Sequence, residues 1–238
     1  MARLRLLCFP YAGSGPSAYL GWVRHLPQTV ELRLVAPPGC ELRADEPHET
    51  DLPRYLDAVT DALMSEPAVP CALFGHSLGA LLAYEFALRL VETVRPPVHL
   101  FLSGKESPDV PLLFPDLHRR DDEGLIDGIR ILNGGLPEEL ERDPLLMASI
   151  LLRLRADWTL MSQVVARDVP KLRIPVSVLW SPEDPSTTAE EVRSWESRVE
   201  GPIRYEAFGG GHLFLNQRAP EVVRAVCAHL GLATGGAD

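Results

Sequence analysis

The pentapeptide Gly75-His76-Ser77-Leu78-Gly79 has the residue types of a nucleophile elbow, the Gly-x-Ser-x-Gly turn that presents a serine hydroxyl to a carbonyl group. An apolar run, Cys71 to Phe74, precedes it, and an apolar helical pattern follows from Ala80. These flanks predict a strand and a helix, so Ser77 would lie on the sharp turn between them. The two glycines would permit strained dihedral angles and close backbone approach at that turn.

A serine hydroxyl needs a general base within hydrogen-bond reach, and His212 is the best candidate. It follows the apolar run Ile203 to Phe208 through three glycines, a flexible turn that would let its imidazole reach Ser77. His76 lies beside the serine in sequence, but the geometry of the turn is expected to point it away from the nucleophile. We therefore assign the role of general base to His212.

The base needs a carboxylate that orients it, and the segment Pro182-Glu183-Asp184-Pro185 offers two. This segment follows the apolar run Val176 to Trp180, at the end of a strand where catalytic groups gather in open α/β sheets. We favour Asp184 over Glu183. A plain surface turn would explain the prolines equally well. It would not explain a turn placed between the serine and histidine loops.

Two backbone amides are candidates for holding an oxyanion. The amide of Leu78 lies at the start of the predicted helix, where helix N–H groups have no partner. The glycine-containing loop Phe9 to Gly15 supplies the second donor, for which we favour Ala12 and then Tyr11. A phosphate-binding loop is the alternative for Gly13 to Gly15, but the Gly-x-Gly-x-x-Gly spacing and the Walker lysine are missing.

The elements that must position these residues alternate between strand and helix patterns. Such alternation predicts an α/β fold with a mostly parallel sheet and helices on both faces. The segment Asp51 to Ser65 illustrates the helices, with an apolar face, Pro53 in the first turn and Thr50 or Asp51 as the N-cap. The predicted strands are Leu4 to Phe9, Leu32 to Ala36, Cys71 to Phe74, Val98 to Ser103, Val176 to Trp180 and Ile203 to Phe208.

Some seventy residues separate the fourth and fifth predicted strands, which is too long for a simple connection. Helical patterns run from Glu123 to Leu132 and from Pro144 to Val165. We interpret residues 111–166 as a helical lid inserted over the active-site end of the sheet. An ordinary crossover helix with loops is the alternative. The tail, residues 233–238, is expected to be disordered.

Composition limits the classes of protein and partner. A chain of 238 residues with 46% hydrophobic content fits one α/β domain spanning residues 1–238. A formal net charge of −10 argues against nucleic acid as a partner, and no segment is long and apolar enough to predict a membrane partner. Four cysteines without Cys-x-x-Cys spacing indicate free thiols and a cytoplasmic protein. We expect no cofactor and no metal ion.

Several motifs together resemble the type II thioesterases of polyketide and non-ribosomal peptide biosynthesis. The resemblance covers nearly the whole chain. Its motifs are Leu7-Cys8-Phe9-Pro10-Tyr11-Ala12-Gly13, Pro38-Gly39, Phe74-Gly75-His76-Ser77-Leu78-Gly79-Ala80, Ser103-Gly104, Arg155-Ala156-Asp157 and Gly210-Gly211-His212-Leu213-Phe214-Leu215.

The resemblance implies an α/β-hydrolase with a helical lid that hydrolyses acyl thioesters on phosphopantetheine arms. Its expected partners are acyl or peptidyl carrier proteins blocked by aberrant or stalled acyl groups. The family's triad maps onto Ser77, Asp184 and His212, and its oxyanion donors map onto the amides of Ala12 and Leu78.

This sequence departs from the family's usual pattern at several positions. Cys40 follows Pro38-Gly39 where arginine is usual, Lys105-Glu106 follows Ser103-Gly104 where two arginines are usual, and Trp158 stands where phenylalanine is common. A tyrosine usual near Gln163 is also missing. These departures leave the triad intact and bear on the acyl preference.

Apolar residues of the lid and of the first loop are candidates for an acyl pocket. We name Tyr11, Leu154, Trp158 and Met161, with Leu145 among the neighbours, although such stripes more often form core. For docking of an acidic carrier, the candidate basic residues are Arg119, Arg120, Arg153 and Arg155, for which a solvated face is the alternative.

Two other functions remain open from the residues alone. A carboxylesterase or lipase would use the same triad on oxygen esters, because fold and triad do not fix the leaving group. A non-catalytic binding protein with the same fold is the second alternative. An intact Ser77, Asp184 and His212 argues against the latter.

Overall fold

Six parallel strands form one sheet in the order β2-β1-β3-β4-β5-β6. The computed structural model describes residues 4–133, 135 and 142–232. The expected α/β architecture is confirmed, and each of the five strand pairings is parallel. The strands are β1 (Leu4–Phe9), β2 (Val30–Leu34), β3 (Cys71–His76), β4 (His99–Ser103), β5 (Val176–Trp180) and β6 (Ile203–Ala207).

Helices connect the strands, as parallel pairing requires. The α-helices are α1 (Leu52–Ser65), α2 (Leu78–Leu90), α3 (Asp122–Asn133), α4 (Pro144–Met161), α5 (Phe214–Gln217) and α6 (Ala219–His229). Short 3-10 helices span Pro16–Arg24, Glu41–Arg43, Leu117–Arg119 and Glu191–Ser197.

The sheet is covered on both faces, so its inner strands are buried throughout. Leu7 and Phe9 of β1 pack into the core formed with α1, α2 and α4. Leu6 and Cys8 of the same strand face the opposite core, which includes the first 3-10 helix and α6. This alternation explains why β1 has a continuous apolar run instead of an amphipathic one.

Helix α1 forms as its sequence predicts. Asp51 is the N-cap, because its side chain accepts a hydrogen bond of 2.9 Å from the backbone N–H of Arg54. Pro53 lies in the first turn, where its missing N–H has no consequence. Tyr55 and Leu56 lie on the buried face.

Several predicted boundaries are wrong: β3 extends to His76, β4 begins at His99 and β6 ends at Ala207, and the differences are largest at β2 and α4. Strand β2 covers Val30–Leu34 and not 32–36, because its ladder with β1 begins at the pairing of Leu4 with Val30. Helix α4 ends at Met161 and not at residue 165. Beyond Met161, the Gln163 side chain accepts from the N–H of Leu52 (3.0 Å) and donates to the carbonyl of Thr50 (2.7 Å), so this segment is tied to the start of α1.

Residues 104–175 lie between β4 and β5 and include a 3-10 helix, α3 and α4. The predicted helices at 123–132 and 144–165 are thereby confirmed as elements. Gly134, residues 136–141 and the tail 233–238 lie outside the described residues, so the expectation of a disordered tail stays a prediction.

Within the described ranges, no helix combines the length and apolar character that a bilayer crossing requires. All four cysteines are buried free thiols: Cys8, Cys40, Cys71 and Cys227.

Candidate active site

Ser77 occupies a strained turn between β3 and α2. Its φ and ψ are 53° and −121°, in a region that non-glycine residues rarely adopt, and its N–H donates to the carbonyl of Ser103 at 2.8 Å. A Cβ atom at Gly75 would lie 1.9 Å from the carbonyl oxygen of Gly79, so this crossing of strand and helix needs a glycine. The geometry is that of the predicted elbow.

Asp184 and His212 meet through a hydrogen bond of 2.7 Å between Asp184 Oδ2 and His212 Nδ1. Both side chains are buried, and they come from the loops that follow β5 and β6. Burial raises the pKa of the Asp184 carboxyl, but hydrogen bonds and charge from His212, with hydrogen bonds from Ser186, outweigh burial and place that pKa below its usual value. Asp184 is therefore suited to remain an anion beside the imidazole.

Ser186 is a site residue that the sequence did not predict. Its hydroxyl donates to Asp184 Oδ1 at 2.6 Å and lies 3.0 Å from His212 Nδ1. Its backbone N–H also bonds Asp184 Oδ1 at 2.9 Å, a turn in which a carboxylate binds the residue two positions on. The Asp-Pro-Ser sequence of this turn is the signal that could have identified it.

Glu183, the less favoured carboxylate, is exposed and turned to the loop before His212, where its Oε2 accepts from the N–H of Gly210 at 3.1 Å.

His76 is fully buried, and its Nδ1 lies 2.9 Å from the hydroxyl of Ser103. Its ring packs against the His212 ring with centroids 5.0 Å apart. Burial and the charge of His212 hold the pKa of His76 well below its usual range. The His76 ring is therefore uncharged and packs against the ring of His212.

The loop after β1 leaves few amides for an oxyanion. The N–H of Gly13 donates to Asp157 Oδ2 at 2.8 Å, and the N–H of Ser14 donates to the carbonyl of Tyr11 at 3.0 Å. Among the described residues, the amides of Tyr11, Ala12 and Gly15 have no acceptor, and the first two are those that the sequence favoured. Leu78 is the first residue of α2, so its N–H has no acceptor within the helix.

Asp157 reaches this loop from helix α4. Its carboxylate also lies 3.4 Å from Nε of Arg153, one helical turn away, and both side chains are about nine-tenths buried. Burial raises the pKa of Asp157, an effect that the Arg153 charge and the Gly13 N–H partly offset. Leu154 packs on the same loop, because a Cβ atom at Gly13 would lie 3.0 Å from its Cδ2. Helix α4 therefore contacts the candidate oxyanion loop at Gly13 through Asp157 and Leu154.

A cavity of about 250 Å³ joins these groups. Ser77 and His212 line it together with Ala12 and with all four predicted pocket residues. Leu145, by contrast, is 85% exposed, so the expectation that it faces the pocket is wrong, because it lies on the outer side of the first turn of α4. These four lining residues are Tyr11, Leu154, Trp158 and Met161.

Two charged side chains of the lining were not expected. Lys105 and Glu106 follow β4, line the cavity and form an ion pair through Nζ and Oε1. The sequence marked them only as a departure from the family pattern. Their position inside an otherwise largely apolar cavity emerges from the fold alone.

A larger cavity, of about 350 Å³, lies between β2 and α1. Arg33 and Tyr55 are among its lining residues, and it contains none of the predicted catalytic residues. Size alone therefore does not identify the site here, whereas the Asp184–His212 pair does.

The proposed basic docking residues are not equivalent. Arg153 is buried against Asp157, so including it in a surface patch was wrong. Arg155 donates to the carbonyl of His118 at 3.0 Å and to Asp122 Oδ1 at 2.6 Å, and so is engaged in holding the lid segment together.

Known proteins resemble this chain over nearly its full length. GrsT, the gramicidin S biosynthesis protein of Aneurinibacillus migulanus, is 32% identical over 233 residues, covering 97% of this chain and 90% of GrsT. RedJ, a thioesterase from the prodiginine pathway of Streptomyces coelicolor, superimposes with a TM-score of 0.85 at 34% identity, covering 96% of this chain and 86% of RedJ. BorB, a type II thioesterase from the borrelidin cluster, superimposes with a TM-score of 0.83 at 28% identity, covering 95% of this chain and 92% of BorB.

A family model described as a thioesterase domain matches residues 4–230, nearly all of the chain. The match spans β1 through α6 and so includes every element that positions the site. The expected resemblance is confirmed: this chain belongs to the thioesterase family and is an acyl thioester hydrolase.

Proposed function

We propose that this enzyme removes acyl groups from the phosphopantetheine arms of carrier proteins, with Ser77 as nucleophile, His212 as general base and Asp184 as the group that orients the base. The observation that carries this proposal is the buried Asp184–His212 hydrogen bond of 2.7 Å, with His212 and the elbow serine lining the same largely apolar cavity. The order of the three residues along the chain is that of the α/β-hydrolase triad.

In the proposed reaction, Ser77 Oγ attacks the thioester carbonyl carbon, and His212 accepts the hydroxyl proton. Nε2 is the ring nitrogen left for this task, because Nδ1 faces Asp184. The tetrahedral intermediate collapses, the C–S bond breaks, and His212 returns the proton to the leaving sulfur. Water then attacks the acyl-Ser77 ester while His212 accepts a water proton. The bond between the acyl carbon and Ser77 Oγ breaks, and His212 returns the proton to Oγ, which releases the carboxylic acid and the free enzyme.

The negative oxygen of each intermediate is held by the amides of Ala12 and Leu78. The commitment of the Gly13 and Ser14 amides to other acceptors supports this choice. Tyr11 is the less favoured donor. Two amides preorganised at that position are worth several kcal/mol of barrier, since removal of one such donor commonly costs about 100- to 1000-fold in kcat.

The carrier-directed role rests on the kind of proteins that this chain resembles. GrsT is named for gramicidin S biosynthesis and BorB for the borrelidin cluster, and BorB is described as a type II thioesterase. By this analogy the substrate is an aberrant or stalled acyl group on an acyl or peptidyl carrier protein. A cytoplasmic location fits four buried cysteines that are free thiols.

We further propose that residues 111–166 act as a lid over the cavity of a single domain. Helices α3 and α4 contribute Ile129, Leu154 and Trp158 to the cavity that holds Ser77, so the reacting groups lie beneath this segment. A gate of this kind would exclude water once an acyl chain has entered. Hydrogen exchange should then be faster at the amides of 111–166 than in β3 and β4, and equal protection would remove the gate from the proposal.

The experiment compares one acyl group on three leaving groups: octanoyl carrier protein, octanoyl coenzyme A and p-nitrophenyl octanoate. We expect the highest kcat/KM for the carrier-bound thioester. A rate on the carrier protein no higher than that on coenzyme A would remove the carrier-directed role. A clear preference for the oxygen ester would favour a carboxylesterase, and inactivity on all three would favour a binding protein.

A further inference from the structure

The ion pair between Lys105 and Glu106 is the unusual feature of the acyl cavity. Glu106 is 6% exposed, and its side chain holds Lys105 through Oε1. Its second oxygen, Oε2, is buried and has no hydrogen-bond partner among the described residues. Native proteins rarely leave a buried polar atom unpaired, so this carboxylate oxygen has room for a donor that the described part of the chain does not supply.

The position of the pair points to the acyl chain and away from the arm. Lys105, Glu106 and Leu112 line both the active-site cavity and the adjoining crevice that contains Ser162. Met161, the last residue of α4, lines the same cavity, and Ser162, the next residue, lines the crevice. The pantetheine arm must run outward to its carrier protein, so we assign the part of the cavity that borders this crevice to the acyl group.

The charges of the pair select the kind of group that fits. Glu106 is neutralised by Lys105, so an additional ammonium group would meet an equal charge of its own sign and gain little. A hydroxyl group can donate to the carboxylate and accept from the ammonium, whose three N–H donors are not exhausted by one acceptor. An unsubstituted alkyl chain offers neither, and leaves the carboxylate oxygen unpaired.

We propose that Lys105 and Glu106 form a subsite for a hydroxyl group on the acyl chain, so that this thioesterase prefers hydroxyacyl over unsubstituted acyl thioesters. The inference rests on the proposed function and adds a substrate class to it. Glu106 lines the cavity, and an incoming hydroxyl group would supply the donor that its Oε2 lacks among the described residues. Sites built to bond a substrate hydroxyl discriminate strongly against analogues that lack it.

The test varies the acyl chain while the pantetheine leaving group stays fixed. The substrates are octanoyl pantetheine and its 3-, 5- and 7-hydroxy derivatives. The wild-type enzyme should show at least a tenfold higher kcat/KM for one hydroxylated chain than for octanoyl. The double variant Lys105→Met/Glu106→Leu, which removes the charges together, should lose this preference. The exposed Glu190→Leu variant is the matched control and should retain it.

Each contrary result overturns a different part. If the wild type hydrolyses octanoyl and hydroxyoctanoyl thioesters equally, the subsite is wrong while the thioesterase function stands. If the double variant retains the hydroxyl preference, another group binds the hydroxyl. The double variant could instead lose the same factor in kcat/KM on every acyl chain, and lose nothing in kcat/KM when N-acetylcysteamine replaces pantetheine as the leaving group. That result would show that the pair binds the pantetheine arm and not the acyl chain. If the wild type hydrolyses no thioester, the proposed function and the subsite fall together.

Discussion

Asp157 of helix α4 accepts a hydrogen bond of 2.8 Å from the backbone N–H of Gly13. This bond joins the segment over the cavity to the loop that carries the candidate oxyanion amide of Ala12. Because Asp157 is a residue of α4, this bond couples the position of the helix to the shape of the loop. Arg153, on the same helix, lies 3.4 Å from the Asp157 carboxylate and is buried with it.

A pair of double variants isolates this bond. Arg153→Met/Asp157→Asn keeps an acceptor for Gly13, whereas Arg153→Met/Asp157→Leu removes it, and both avoid leaving one buried charge unpaired. We expect kcat to be about tenfold lower in the leucine variant than in the asparagine variant, with similar KM, because the loop positions a transition-state contact. Steady-state kinetics on an acyl pantetheine checks this, and equal kcat values would show that the bond serves stability alone.

Asp184→Asn should reduce kcat by about 1000- to 10,000-fold, because an amide stabilises the wrong tautomer of His212. Glu183→Gln should stay within a few-fold of the wild type, since Glu183 is exposed and its side chain bonds only the loop N–H of Gly210 among the described residues. The measurement is thioester hydrolysis by both folded variants. A larger loss at Glu183 would transfer the orienting role to it.

Ser186→Ala should lower kcat by about tenfold. Its hydroxyl bonds Asp184 at 2.6 Å, and a hydrogen bond to a charged group is worth about 1.5–3 kcal/mol, part of which a water molecule can replace. Ser65→Ala, on an exposed hydroxyl at the end of α1, is the control. A Ser186→Ala enzyme with unchanged kcat would indicate that Asp184 holds His212 unaided.

His99, at the start of β4, should make the free energy of unfolding depend on pH. Nε2 of His99 lies 2.8 Å from the Ser177 hydroxyl, which also bonds His229 at 2.9 Å. Burial, with the charges of His229 and Arg204, lowers the pKa of His99 to about 4. Its pKa in the unfolded chain is about 6.5, so the unfolded state binds this proton more tightly.

The contribution of His99 is therefore complete above pH 6.5 and is lost as the pH falls toward 4, by at most about 3 kcal/mol. Urea unfolding at pH 7.0, 5.5 and 4.5 should show a shallower loss of unfolding free energy for His99→Asn than for the wild type. His25→Asn serves as a half-exposed control. Parallel curves for His99→Asn and wild type would assign the pH dependence to other groups.

The parts of the site that the sequence predicted are those encoded in local patterns. The elbow, the turn containing Asp184 and the glycine turn before His212 each follow a recognisable strand, so their residues could be placed at one edge of the sheet. The burial of Arg153 could not be predicted in this way, because it depends on how α4 packs over the loop after β1. The same holds for Lys105 and Glu106, whose entry into the cavity depends on the helices between β4 and β5.

The central claim is that Ser77 performs the hydrolysis of carrier-bound acyl thioesters. The most direct measurement is the rate at which Ser77→Ala, with its fold verified by circular dichroism, releases the acyl group from octanoyl carrier protein. We predict a loss of at least 1000-fold relative to the wild type, because the members of such a triad act as a unit. Release by the folded variant at a rate near that of the wild type would contradict the account.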